Sequence, residues 1–153
     1  MALFLDTFVN KIDRKGRVSV PASFRQQLAG QPFQGIVAMP SFKHRALTCG
    51  GIDWMAGVER EIAAKVNLFS EEHDDLSMAV FSDAKQLTFD PEGRVMLPLA
   101  LIEFAGLGEA AAFVGRGGTF DIWEPVALDA YKAQARSRAL EKGRTVPRGG
   151  APA

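Results

Sequence analysis

The chain has one cysteine and two histidines in 153 residues, so disulfide chemistry within it is excluded and little soft-metal chemistry is left. His44, His73 and Cys49 do not fall at zinc-type spacing, and the expectation is no metal and no cofactor. Cys49 ends the apolar run "RALTC" and reads as a small buried hydrophobe rather than a nucleophile. No apolar run approaches the roughly 20 residues that span a bilayer. The opening "MALFLDTF" is too short and lacks the basic flank of an export signal. The chain therefore reads as a cytoplasmic protein with no membrane partner. Enzyme signatures are missing too: no nucleophile stands beside a base, and no carboxylate pair suggests acid–base work. "GRGGT" at 115–119 lacks the Lys-Ser/Thr ending of a phosphate loop and reads as a hairpin turn.

Net charge is also lacking, with 18 basic and 18 acidic side chains. The average conceals local excess. Residues 11–25 hold Lys11, Arg14, Lys15, Arg17 and Arg25 against Asp13 alone, and the tail from Arg136 holds five bases against Glu141. The acids concentrate in "EEHDD" at 71–75. Local charge decides what a bound phosphate meets, because charges beyond about 10 Å are screened. Behind Ser70, the acids of "EEHDD" fit the first turn of a capped helix better than a cation loop. The 47% hydrophobic content suffices for one modest core or two small ones.

The informative feature is a repeat. "IDRKGRVSVP" at 12–21 returns as "FDPEGRVMLP" at 89–98, with Asp13/Asp90, Gly16/Gly93, Arg17/Arg94, Val18/Val95 and Pro21/Pro98 all 77 residues apart. So long a period indicates a duplicated unit rather than a solenoid array. Each unit opens with a strand candidate, "LFLDTFVNKI" or "AKQLTF". A turn follows with Asp first and Gly fourth, the pattern of a type I turn whose glycine takes positive φ. Next come a second strand ("RVSV", "RVMLP") and a proline opening a short helix ("PASFRQQLAG", "PLALIEFAG"). Two further strands close each unit, "GIVAMP" with "RALTC" and "AAAFVG" with "TFDIW", and a longer helix follows, "IDWMAGVEREIAAKV" or "EPVALDAYKAQAR". From Arg136 onward Gly, Pro and Arg replace large apolar groups, and the tail is expected to be disordered.

Asp13 and Asp90, with Gly16 and Gly93, read as turn-forming residues whose carboxylates accept local backbone N–H groups. Arg17 and Arg94 stand just past each turn, where guanidinium suits phosphate or guanine recognition. Pairing with Asp13 and Asp90 is the competing role. It competes well at Arg94, where Asp90 and Glu92 make the turn acidic, and less well at Arg17, which Arg14 and Lys15 flank.

The paired motifs "DRKGRVSVPASFR" and "DPEGRVMLPLAL" resemble the MraZ family of bacterial transcriptional regulators, over about residues 1–135. The resemblance implies an α+β fold of two tandem AbrB/SpoVT-like units, residues 1–76 and 77–135, followed by a basic tail at 136–153. The units would form a β-barrel of the double-ψ or swapped-hairpin type, with flanking helices. It implies DNA contact through Asp13–Arg17, with Arg17 foremost, then Arg14, Lys15, Lys11 and Arg94. The second turn is acidic and is expected to contribute less. The partners implied are double-stranded DNA with repeated promoter sites, in the division and cell-wall gene cluster, and further copies of the chain in a ring-like homo-oligomer. The place implied is the nucleoid. An architectural or antitoxin-like protein of the same fold, or a scaffold without nucleic acid, are the alternatives.

Overall fold

The computed structural model describes residues 2 to 147. The first repeat forms β1 (Thr7–Lys11), β2 (Arg17–Ser19), α1 (Ala22–Leu28), β3 (Gly35–Pro40), β4 (Leu47–Gly50) and α2 (Ile52–Lys65). A linking helix α3 (Glu71–Val80) follows. The second repeat then runs through β5 (Lys85–Thr88), β6 (Arg94–Met96), α4 (Leu99–Phe104), β7 (Ala110–Gly115), β8 (Phe120–Trp123) and α5 (Pro125–Glu141) in the same order.

The local chemistry accounts for most boundaries. β1 starts later than "LFLDTFVNKI" suggested because Asp6 takes φ +76°, leaving Phe4 to pair with Gly117 as an isolated bridge. Pro21 and Pro98 cap α1 and α4 from one residue outside, where their missing N–H costs nothing. Ser70 caps α3 by accepting the His73 N–H at 3.0 Å, with Glu71, Glu72 and Asp74 in the positive first turn. "EEHDD" is thus a helix start, and no His/Cys/Asp/Glu cluster suited to a metal occurs among the described residues. "GRGGT" is the β7–β8 hairpin turn, with Gly117 at φ +87°.

One expectation for the tail is corrected. α5 runs to Glu141 rather than giving way to disorder at Arg136. "ARSRALE" consists largely of good helix formers. Trp123 stacks on Tyr131 of α5 at 5.2 Å, and the Arg138 guanidinium lies over the Tyr131 ring at 5.4 Å, drawing that turn onto the sheet. Residues 148–153, which include Arg148, lie outside the described residues.

The pairing of strands shows what the duplication does. The six-stranded sheet has the antiparallel order β1-β7-β8-β4-β3-β5. Since β5 repeats β1, β7 repeats β3 and β8 repeats β4, this order reads the same from either edge. β1 of the first repeat pairs with β7 of the second, Phe8 opposite Phe113, while β5 of the second pairs with β3 of the first, Lys85 opposite Ala38. At the centre Thr48 faces Asp121. Each repeat thus gives its first strand to the other's sheet.

The remaining strands, β2 and β6, form a separate ribbon in which Val18 faces its own repeat mate, Val95. The α+β class is as expected, but no closed barrel forms among the described residues. β1 and β5 end as sheet edges, because the three-residue strands that follow them turn away to pair with each other.

Three layers result. Ile36, Ala38, Leu47, Cys49, Phe113, Phe120 and Ile122 point from one sheet face toward the ribbon residues Val18 and Val95 and the helix residues Phe24, Leu28 and Leu101. Phe24 meets Phe120 at 4.9 Å, Phe4 at 5.2 Å and Phe8 at 5.6 Å, so aromatic rings of both repeats converge on it. The alternate strand residues face the other way. Val37 and Met39 pack with α2 and α3, and Ala112, Val114 and Trp123 pack with α5. Burying each such large side chain contributes about 1.5–3 kcal/mol. No helix among the described residues is long and apolar enough to cross a membrane.

Candidate nucleic-acid interface

The ribbon is held in place by two turns of nearly identical geometry. In the first, Asp13 N–H donates to Arg17 O at 3.0 Å, and the Asp13 carbonyl receives Gly16 N–H at 3.0 Å. With that carbonyl occupied, Arg17 N–H goes to the Asp13 carboxylate at 2.9 Å, which also accepts Lys15 N–H at 2.9 Å and Arg17 Nε at 2.6 Å. Gly16 takes φ +84°, where a side chain is strained, and the position of a Cβ there lies 2.9 Å from Leu97 O. In the second turn Asp90 accepts Glu92 N–H, Arg94 N–H and Arg94 Nε at 2.9, 2.9 and 2.8 Å, and Gly93 takes φ +78°. Ribbon and turns are cross-tied symmetrically, by Val20 N–H to Gly93 O at 3.1 Å and Leu97 N–H to Gly16 O at 2.8 Å.

An aspartate is therefore needed at each turn for its two acceptor oxygens at short reach. Both carboxyls are held below the ordinary carboxylate range. The largest cause is the backbone N–H of Arg17 at Asp13 and of Arg94 at Asp90; burial opposes it as the next largest effect, and the same arginine's side chain and the N–H of Lys15 or Glu92 lower the carboxyls further.

The competing role for the arginines is occupied at both turns, equally. Arg17 and Arg94 each brace their own turn through Nε, so the weaker pairing expected for Arg17 does not hold. The difference lies at the outer nitrogens. Arg94 Nη2 also meets Glu92 at 3.3 Å, whereas Asp13 is the one acid paired with Arg17 among the described residues. Both side chains are about one-third exposed, at 33% and 28%.

Because side chains alternate across a strand, Val18 and Val95 enter the core while Arg17, Ser19, Arg94 and Met96 share the outer face. Arg17 lies opposite Met96 and Ser19 opposite Arg94. Arg14, Lys15 and Lys11 are exposed at the first turn, with Glu109 beside them on the loop before β7. The second turn presents Pro91 and Glu92 instead, and Thr88 stands where the first repeat has Lys11. A two-stranded β-ribbon is an element that a major groove admits, and arginines beside a cationic shoulder are groups suited to phosphate.

Several participants were not legible in the sequence. Ser19 and Met96 reach the outer face only once the ribbon pairs, although their alternation with Val18 and Val95 was a usable signal. Asn10 secures the ribbon by donating its side-chain N–H to Ser19 O at 2.8 Å. Arg25, near the first turn in the chain, lies in space against the second, its Nη1 2.5 Å from where a Gly93 Cβ would stand. Cys49 is fully buried on the sheet, and burial pushes its thiol up, with the charge of Asp121 adding to the effect. It is a core residue, as expected.

Residues 80–146 match the family described as "MraZ protein, putative antitoxin-like". A protein of Rickettsia canadensis carrying the name "Transcriptional regulator MraZ" is 40% identical over 146 residues, 95% of this chain and 97% of that protein. One of the same name from Rickettsia bellii is 41% identical over 147 residues, with the same shares covered.

Proposed function

We infer, from the premise that this chain belongs to the MraZ family, that it is a DNA-binding regulator of transcription whose reading surface is the β2–β6 ribbon with its two turns. The observation that carries this reading is the pairing of Val18 with Val95, which brings both Asp-x-x-x-Arg turns to one outward face. At the first turn Arg14, Lys15 and Lys11 are exposed cations in no ion pair among the described residues, and Arg17 and Arg94 offer their outer nitrogens while Nε holds the turn. Asp13, Asp90, Gly16 and Gly93 shape the turns and do not touch DNA. The chain has no catalytic role, in keeping with a family of regulators.

The two repeats, residues 1–76 and 77–135, act as two AbrB/SpoVT-type units exchanged within one chain. The targets are repeated sites in a promoter of the division and cell-wall gene cluster, read in the cytoplasm at the nucleoid. One turn neutralises few phosphates, and each phosphate it does neutralise steepens the salt dependence of log K by only about 0.9. Several chains in a ring-like homo-oligomer make later binding events intramolecular and raise avidity by roughly two to four orders of magnitude. Exposed Leu68, Phe69 and Met78 on and before α3 supply apolar surface for such assembly.

The test is a gel shift on selected and random duplexes with Arg14→Ala/Lys15→Ala, Arg17→Ala and Arg94→Ala proteins, beside thermal melting. The first variant is expected to weaken binding to every duplex and lower the salt slope by about 2. Arg94→Ala is expected to lose less than Arg17→Ala, because Glu92 already engages Arg94. An architectural protein would bind selected and random duplexes alike, and a scaffold would bind neither. Wild-type affinity in the Arg14/Lys15 variant would refute the surface assignment.

A further inference from the structure

We propose that Arg25, on α1 of the first repeat, supplies the second turn with a cation that no acid engages, and that its free guanidinium nitrogens hold a DNA phosphate there. This deepens the ribbon reading and rests on it. The second turn carries Pro91 and Glu92 where the first carries Arg14 and Lys15, and its one cation, Arg94, is engaged by both Asp90 and Glu92, which leaves the turn net acidic. Arg25 reaches it from the other repeat. Its Nε donates to Val20 O at 3.0 Å, and Val20 N–H in turn donates to Gly93 O, so the head of the side chain is fixed to the point where ribbon and turn join. The position of a Gly93 Cβ lies 2.5 Å from Nη1 and 2.7 Å from Cζ, which means that the guanidinium rests against bare glycine backbone.

The repeat mate gives the contrast. Ile102 stands 77 residues after Arg25, and its Cδ1 lies 3.4 Å from the Cβ position of Gly16. One geometric slot therefore holds a methyl group at the basic turn and a cation at the acidic turn. Among the described residues no carboxylate lies within salt-bridge reach of Arg25, and Nη1 and Nη2 donate to no protein acceptor. A partly exposed guanidinium oriented by one backbone bond, with two nitrogens unused, is prepared for a bidentate oxyanion such as a backbone phosphate.

The experiment uses the full chain with a random-sequence duplex and with a selected duplex, read by fluorescence anisotropy across a salt series. Arg25→Met keeps the stem and removes the charge, whereas Arg25→Lys keeps the charge. The methionine variant is expected to bind both duplexes about tenfold more weakly, with a salt slope lower by about 0.9 per chain engaged. The lysine variant is expected to restore the slope. Wild-type affinity and slope in Arg25→Met overturn the proposal, as does a slope in Arg25→Lys as low as in Arg25→Met, which marks Arg25 as purely structural. A loss confined to the selected duplex overturns the phosphate assignment in favour of a base contact. Should Arg25→Met melt far below the wild type, the lysine variant's slope decides alone. Absence of salt-dependent binding by the wild-type chain sinks the ribbon reading together with this one, whereas failure of the Arg25 variants alone leaves the ribbon reading standing.

Discussion

Phe24→Ala should destabilise both repeats at once, although the residue belongs to the first. Phe24 is 1% exposed, and its ring meets Phe4 and Phe8 of the first repeat and Phe120 and Phe113 of the second at 5.2, 5.6, 4.9 and 6.5 Å. Truncating a buried phenylalanine costs about 3–5 kcal/mol through lost transfer energy and the cavity left behind. At about 2–4 °C per kcal/mol for a domain of this size, the melting midpoint should fall by roughly 10 °C. Because β1 pairs with β7 and β5 with β3, neither repeat retains a complete sheet without the other, and the loss must appear throughout. Trp54 on α2 and Trp123 on β8 report on opposite repeats, so urea unfolding followed by fluorescence in Trp54→Phe and Trp123→Phe backgrounds separates them. The two transitions should coincide before and after the substitution. A loss under about 1 kcal/mol, well below the range for such truncations, would refute the shared-core argument. So would a Trp123 transition that keeps its wild-type midpoint while the Trp54 transition shifts.

Other consequences follow from the same geometry. Residues 1–76 and 77–135 expressed separately should remain unfolded by circular dichroism and fold when mixed; a cooperative melt from either alone would contradict the exchanged sheet. Gly16→Ala should cost more than Gly93→Ala. Both force a side chain into positive φ, at about 1–2 kcal/mol, but the first also drives a Cβ toward the Leu97 backbone carbonyl while the second meets the Arg25 guanidinium, which is held by one hydrogen bond and yields more readily than backbone does; urea midpoints in the reverse order would refute this. Acid should weaken the fold through Asp13 and Asp90. Their folded carboxyls titrate below the unfolded ones, so their stabilisation is complete above the unfolded value and is lost as pH falls through the lowered one, in the range below about pH 4. Asp13→Asn/Asp90→Asn should therefore show a flatter loss of urea stability in that window than the wild type, and parallel profiles would speak against the two carboxylates. Cys49, fully buried at the sheet centre, should react with a thiol reagent only at the rate of global unfolding, and rapid labelling in native buffer would place it elsewhere.

The repeat, the turns and the identity of nearly every element were determined by sequence alone, because they depend on local interactions. Asp at the first position and Gly at the fourth specify a turn through acceptor reach and permitted φ, whatever surrounds them. Ser70 with the acids that follow it specifies a helix start in the same way. The readings of "GRGGT" as a hairpin and of Cys49 as core rest likewise on neighbours in the chain. What tertiary structure decided depends on residues meeting across long separations. The exchange of β1 and β5 between repeats is invisible to a pattern that records only which face of a strand is apolar. The barrel was implied by the family resemblance and does not form among the described residues, because β2 and β6, strands too short to name their partner in advance, pair with each other. Charge is the clearest case. Counted along the chain, Arg25 belonged to the basic first turn. In space, α1 carries it to Gly93, because β2 pairs with β6 and Val20, which accepts the Arg25 Nε–H, itself donates to Gly93 O. Pairing with Asp13 likewise competed less well for Arg17, beside Arg14 and Lys15, yet the same hydrogen-bond geometry that makes Asp13 a turn residue draws its Nε inward and leaves only the outer nitrogens for a ligand.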